Sequence, residues 1–217
     1  MVNLNDIQQK VYGAYDALYM ARQDNILWGD KPGRLLYSIK KYCLSGKILD
    51  AGCGDEKNAL FLERNGFQVV GFDYSEYAIA GLFNRFEQAH WKPQGKYFVQ
   101  NVQDSVPFRP YDVIVSYGLF HCLPVQSRQY IHQKLLKHLR LNGIVLFSCL
   151  TDALPLPPDH ATDTITLVQQ QELSTLFEGW EILYYESGTI GEEHLPMIGD
   201  HKHSAVWIVV KKVVQDG

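Results

Sequence analysis

Lys47-Ile48-Leu49-Asp50-Ala51-Gly52-Cys53-Gly54 decides how this chain is read. Its first half is a short apolar run, its second half a glycine turn. Apolar positions then return at helical spacing over 58–65, so the order is strand, tight loop, helix. The same alternation continues outward. Strands are predicted at 67–73, 97–100, 112–116 and 144–148. A helix capped by Ser75 runs to about Ala89, and another spans 125–140 and stops at Asn142-Gly143. The strands are apolar throughout rather than alternating, which predicts a mostly parallel sheet covered on both faces, an α/β fold.

Upstream, Leu4, Ile7, Val11, Ala14 and Leu18 mark an amphipathic helix. Asp30-Lys31-Pro32 offers a cap and an early proline, opening a second helix to about Tyr42 that Ser45-Gly46 ends. Downstream, 170–177 reads as a helix, 180–186 as a strand, 188–203 as a long loop and 203–211 as a last strand. No helix separates the last two strands, so they should pair antiparallel as a hairpin. The 217 residues suit one domain, and nothing reads as a linker.

Composition excludes several classes. Hydrophobic residues make up 46% and charged residues 20%, enough for a core and too apolar for disorder. With 20 Lys plus Arg against 24 Asp plus Glu, the net charge of -4 argues against nucleic acid or an anionic membrane as partner. Cys43, Cys53, Cys122 and Cys149 show no CxxC spacing, which reads as reduced thiols in a cytoplasmic protein. The N-terminus lacks signal-peptide character, and no apolar run approaches about 18 residues.

The glycine loop carries the chemistry. It ends a parallel strand at the edge where open α/β sheets bind ligands, and its glycines let backbone approach a ligand closely. A dinucleotide fingerprint needs a third glycine where this chain has Lys57, which disfavours a nicotinamide oxidoreductase. Asp50, just ahead of the loop, would repel a pyrophosphate and attract an ammonium. Asp73 closes the second strand about 20 residues on, where an acidic side chain can take both ribose hydroxyls. An ammonium and an adenosine on one ligand point to S-adenosylmethionine. The plainer reading is two ordinary strand-ending turns.

From Leu49 to Gly54, Lys57 to Leu62 and Gly66 to Ser75, and on through Tyr111-Asp112-Val113-Ile114-Val115-Ser116, the chain resembles the class I S-adenosylmethionine-dependent methyltransferases. Lys57-Asn58 and Glu178-Gly179-Trp180-Glu181 narrow the resemblance to the tellurite-resistance and thiopurine-type small-molecule methyltransferases. That resemblance implies a doubly wound, Rossmann-like, seven-stranded sheet of order 3-2-1-4-5-7-6. It divides the single domain into a helical lid at 1–45, a cofactor core at 46–150, and a hairpin with a substrate loop at 151–217. It implies that Asp50, Gly52 and Gly54 hold the methionine end, Asp73 the ribose and Tyr74 the adenine face. Val102 and Gln103 would face the adenine edge, with Asp104 beside them, and Tyr117 would lie beside the methionine part. Glu56 departs from the glycine usual in the family.

The lid would carry Tyr15, Tyr19 and Trp28, aromatics that could equally pack the helices on the sheet. The segment 188–203 is expected above the site, and it carries His194, His201 and His203 among eight histidines. Three readings stay open for it: solvated loop polars, groups that bind or deprotonate a substrate, and a metal site with its neighbouring carboxylates. His121 and Cys122 follow the fourth strand, while His90, His132, His138 and His160 read as surface or helix residues. The expectation is methyl transfer to a small acceptor such as a thiol or chalcogen oxyanion, with no metal, the three loop histidines being the catalytic candidates. The alternative is a non-catalytic sensor of S-adenosylmethionine or S-adenosylhomocysteine on the same fold.

Overall fold

The computed structural model describes residues 4–21, 31–55, 57–104, 106, 110–156, 165–194 and 198–213. Of the expectations above, Trp28, Glu56 and His160 lie outside the described residues, as do the side chains of Lys57 and His194.

Seven strands form one sheet: β1 Lys47–Ala51, β2 Gln68–Asp73, β3 Lys96–Val99, β4 Tyr111–Tyr117, β5 Leu139–Thr151, β6 Glu181–His194 and β7 Ile198–Lys211. Their order is β3-β2-β1-β4-β5-β7-β6. The first five are mutually parallel; β7 is antiparallel to both β5 and β6. The chain moves outward from β1 through β2 to β3, then returns to β4 on the other side of β1. That reversal opens a crevice at the carboxyl ends of β1 and β4, where such sheets take ligands.

Helices α1 Leu4–Ala21, α2 Lys57–Arg64, α3 Glu76–Gln88, α4 Val125–Leu136 and α5 Gln170–Leu176 accompany the sheet. Side-chain alternation along the strands divides the core in two. Leu49, Ile114, Phe147 and Ile208 face α4 and α5 with Ile131, Leu135 and Leu173. Ile48, Val113, Leu146 and Trp207 face the other way, where Leu35, Leu36 and Ile39 cover them.

Four local readings are corrected by pairing. The second helix is a 3-10 helix, Arg34–Lys41, that begins after Gly33 rather than at Asp30. Helix α4 stops at Leu136 instead of Arg140, because His138 and Leu139 are drawn into the sheet: Tyr111 N–H donates to the His138 carbonyl and Leu139 pairs with Tyr111. Strand β5 therefore starts well before Ile144, passing through Asn142 at φ 61°. The segment 188–203 is mostly strand. Strand β6 continues to His194 and β7 begins at Ile198, with Ile190 opposite His203 and Glu192 opposite His201. Strand β5 ends at Thr151, opposite Ser204, so β7 before Ser204 and its β6 partners form a two-stranded ribbon beyond the carboxyl edge.

Candidate functional site

The crevice is built from the Gly52–Gly54 turn and two carboxylates. Gly52 and Gly54 stand at φ 69° and 66°, a region that side chains resist. A Cβ on Gly52 would also lie 3.0 Å from Leu119 Cδ1, so the leucine side chain would have to give way. The amides of Gly52 and Cys53 both donate to the Phe72 carbonyl at 3.0 Å, which ties the turn to β2. Asp73 completes the tie: its Oδ2 accepts from Gly54 N–H and its Oδ1 from Ser75 N–H, each at 3.0 Å. The Tyr74 amide bonds the same carboxylate.

Asp50 is 1% exposed, and its Oδ2 has no hydrogen-bond partner among the described residues. Burial pushes its pKa up to about 7, and the charge of Asp73 adds to the rise. Asp73 is pushed up to about 6 by burial, against the lowering effect of the amides that bond it. The two titrate as a pair. A buried carboxylate without a partner is costly, and a ligand cation seated against it removes that cost. The charges acting on the pair are themselves carboxylates, Asp73 on Asp50 and Asp16 on Asp73. The crevice is thus built for a positive, hydroxyl-bearing ligand rather than a phosphate.

Beyond β3 the chain turns at 101–104. Asn101 Oδ1 accepts from Gln103 N–H at 2.9 Å, and Lys134 on α4 donates to the Gln103 carbonyl at 2.8 Å. Val102 joins the same core cluster as Ala51 and Phe72, and Gln103 is half-buried. Tyr74, also half-buried, lies between Asp73 and the Ser75 cap of α3.

Helix α1 is tied to the chain just past β4 and to α3. On α1, the Tyr15 hydroxyl accepts from the Cys122 thiol at 3.1 Å, and Tyr19 packs with Ala78 of α3. Burial pushes Cys122 up to about 12, so the thiol stays protonated and donates. Closer to the sheet, Gly33 N–H donates to Asn58 Oδ1 at 2.9 Å. A Cβ on Gly33 would sit 2.6 Å from the Tyr117 ring, so the backbone there lies directly on that ring. Arg34 then stacks over Trp207, 4.3 Å from the ring centroid, and pairs with Glu186 at 2.5 Å.

Tyr117 thus lies between Gly33 and β7. Burial raises its phenol, while Trp207, the amides of Arg34 and Leu35, and Ser148 oppose the rise. Along β7, Trp207, Ala205, His203 and His201 alternate onto this one face. His203 is buried, and its ring meets His201 edge-on with centroids 4.6 Å apart. The strand brings these two histidines together. It does not bring His194 to them: His194 pairs with Ile198, roughly 16 Å up the ribbon from His203. Among the described residues no group of three or more His, Cys, Asp or Glu could hold a metal ion. His121 sits between β4 and β5, its Nδ1 accepting from Leu150 N–H at 3.1 Å. His132 is a core residue: Nε2 meets the Leu176 carbonyl at 2.9 Å, and burial pushes it down to about 4.

Sequence reasoning missed Asp16, Asn58 and Gly33. No local signal marks Asp16, because the place of α1 depends on Cys122 and Ala78 far along the chain. Nothing local marks Gly33, whose role is its contact with a residue far along the chain.

A doubly wound sheet with this order, an acidic strand end and a glycine turn is the architecture of class I methyltransferases. The family model of the tellurite resistance protein TehB matches residues 36–200, and the chain belongs to that family. It is 28% identical over 153 residues to the probable S-adenosyl-L-methionine-dependent methyltransferase TehB of Haemophilus influenzae, covering 68% of this chain and 50% of that protein. The chain therefore spans about half the length of the curated TehB relatives it matches. It is 29% identical over 164 residues to the 2-heptyl-1-hydroxyquinolin-4(1H)-one methyltransferase of Mycobacteroides abscessus, covering 72% and 69%. Among solved structures, Haemophilus influenzae TehB superposes with a TM-score of 0.72 at 22% identity, over 83% of this chain and 62% of that one. Burkholderia thailandensis 1,6-didemethyltoxoflavin-N1-methyltransferase, with 1,6-didemethyltoxoflavin and S-adenosylhomocysteine bound, superposes with a TM-score of 0.71 at 14% identity, over 99% and 92%. No helix among the described residues is long and apolar enough to cross a membrane.

Proposed function

We propose that this chain binds S-adenosylmethionine and transfers its methyl group to a small-molecule acceptor. The observation that carries the reading is the buried pair Asp50 and Asp73 around the Gly52–Gly54 turn, with Asp50 Oδ2 lacking a partner. S-adenosylmethionine, when bound, supplies a methyl group made electrophilic by its sulfonium charge. Asp50 takes the ammonium, and Gly52 and Gly54 leave room for the methionine end. Asp73 takes the ribose with the acceptor capacity that its three amide partners leave. Tyr74 covers the adenine, with Val102 and Gln103 at its edge, and Tyr117 closes the methionine side. The cover of α1 and Gly33 keeps water out and fixes the acceptor in line, an effect worth roughly 7–11 kcal/mol in favourable cases. The small-molecule reading is supported by the relatives named for methylating a hydroxyquinolinone and a toxoflavin precursor.

His201 and His203 stand on the acceptor side, with His194 further out. A thiolate or chalcogen oxyanion brings its own electron pair and needs them only as hydrogen-bond partners. A hydroxyl or amine would pass its proton to them. Calorimetry should show one site per chain for both S-adenosylmethionine and S-adenosylhomocysteine. Absence of heat with folded protein would remove the reading. Replacing His201 and His203 together by alanine should lower turnover on the natural acceptor by about 10²-fold or more. Cofactor affinity should change less than about threefold, since neither histidine belongs to the Asp50–Asp73 crevice. Unchanged turnover would make the pair a plain wall of the ribbon.

A further inference from the structure

We propose that Arg34 is a positioning residue for the bound cofactor: stacked on Trp207 and paired with Glu186, it fixes the Tyr117 ring beside the methionine end. This rests on the S-adenosylmethionine reading above. The first amides of a helix have no carbonyl behind them, and Gly33, at the cap of the 3-10 helix Arg34–Lys41, carries no side chain to accept from them. The Leu36 amide bonds the Gly33 carbonyl at 2.9 Å, which leaves those of Arg34 and Leu35. Both donate to the Tyr117 hydroxyl, an acceptor supplied from the end of β4. Gly33 makes this possible by lying on the Tyr117 ring, where a Cβ would come within 2.6 Å. Its own N–H reaches Asn58 Oδ1 at 2.9 Å, in the first turn of α2 just past the glycine turn. The segment thus joins the chain that follows β1 to β4, the strand beside it.

The sheet holds the same hydroxyl from the other direction. Tyr117, Ser148, Trp207 and Glu186 stand opposite one another across β4, β5, β7 and β6, so their side chains share one face. Ser148 and Trp207 also donate to the Tyr117 hydroxyl. Arg34 completes the row: its guanidinium lies 4.3 Å from the Trp207 ring centroid and pairs with Glu186 at 2.5 Å. Glu186 accepts from the Tyr184 hydroxyl as well. Arg34 therefore bonds Tyr117 through its amide and clamps Trp207, a second partner of Tyr117, through its side chain. The Arg34 and Glu186 side chains are 46% and 39% exposed, so their pairing adds little to folding stability. What it fixes is the angle of a ring that the ligand packs against.

The test compares the parent chain with Arg34→Ala, Tyr117→Phe and the double variant. Calorimetry with S-adenosylmethionine and S-adenosylhomocysteine gives affinities, and amide hydrogen exchange reports on the segment without ligand. Arg34→Ala should lower the melting temperature by less than about 3 °C. It should nevertheless weaken both ligands about fivefold, and Tyr117→Phe should weaken them about tenfold. The double variant should bind as Tyr117→Phe does, because Arg34 acts through that hydroxyl. In the unliganded protein the Leu35 amide should exchange at least about tenfold faster in Arg34→Ala than in the parent. Multiplied effects, about fiftyfold in the double variant, would show that Arg34 acts independently of Tyr117 and overturn the proposal. An unchanged Leu35 exchange rate in Arg34→Ala would overturn it too. If the parent binds neither ligand, the cofactor reading falls and the role of Arg34 falls with it. If the parent binds both and Arg34→Ala binds them equally well, only the role of Arg34 falls.

Discussion

The Asp50→Asn substitution should weaken S-adenosylmethionine binding by at least about a hundredfold and yet raise the melting temperature of the unliganded protein at pH 8. Both effects have one cause. Asp50 is buried with an oxygen that has no hydrogen-bond partner among the described residues, so ionising it costs the native state and a ligand cation repays that cost. Burial raises the pKa values of Asp50 and Asp73 to about 7 and about 6. Between pH 4 and 7 the native protein therefore holds protons that the unfolded chain has already lost. Unliganded stability from this pair is full below about pH 4 and is lost as pH rises through about 7. Ligand binding needs the ionised form and runs the other way. The rise in melting temperature produced by S-adenosylmethionine should be larger at pH 8 than at pH 5.5. Asp50→Asn should flatten that dependence. Thermal unfolding at the two pH values, with and without ligand, measures all of this. A variant that binds normally, or whose ligand-induced shift keeps the parent's pH slope, would remove Asp50 from the site.

Arg128→Met should cost about 3–5 kcal/mol of folding stability, on the order of 10 °C in melting temperature. Arg128 lies on α4 and is fully buried. Its Nε donates to the Leu123 carbonyl at 3.1 Å, one terminal nitrogen pairs with Glu172 at 3.0 Å, and the other bonds the Thr166 carbonyl. One planar cation thus joins the loop before α4, the strip 165–168 and helix α5. Methionine fills similar volume but leaves buried carbonyls and Glu172 unpaired. The strip matters to the site, because Thr166 N–H donates to the His121 carbonyl at 2.7 Å and Val168 bridges to Thr151. Urea unfolding with the slope held fixed tests the value. A loss under about 1 kcal/mol would show that solvent or rearrangement replaces these bonds.

Much of this was legible because its causes are local. Ser75 announced α3 through a side chain that accepts from Ala78 N–H at 3.3 Å. Gly52 and Gly54 announced the turn through backbone angles that other residues resist. Strand β1 announced itself as an apolar run because both its faces are covered. The misreadings share a different cause. Gly188, Gly191, Glu192 and Glu193 are poor strand formers, and their segment is strand because its partner lies directly opposite. Leu139 left a helical pattern to pair with Tyr111, whose N–H donates to the His138 carbonyl. Arg128 and His132 occupy ordinary helix positions and are core residues, a fact set by α5 far along the chain. For the site, Asp50 and Asp73 could be named from the residues before them. Asp16 could not, since the place of α1 depends on Cys122 and Ala78.

The ribbon formed by β6 and the start of β7 has a consequence for how this scaffold can change. Below Ser204, β7 is locked to β5 and a shift of one residue would turn Trp207 and Val206 to opposite faces. Above Ser204, the strand has only β6 as partner. Length there can be added or removed in matched cross-strand pairs while every contact of the Gly52–Gly54 turn stays in register. The fold thus separates two inheritances: a glycine turn that tolerates almost no insertion, and a ribbon whose length can be rewritten two residues at a time.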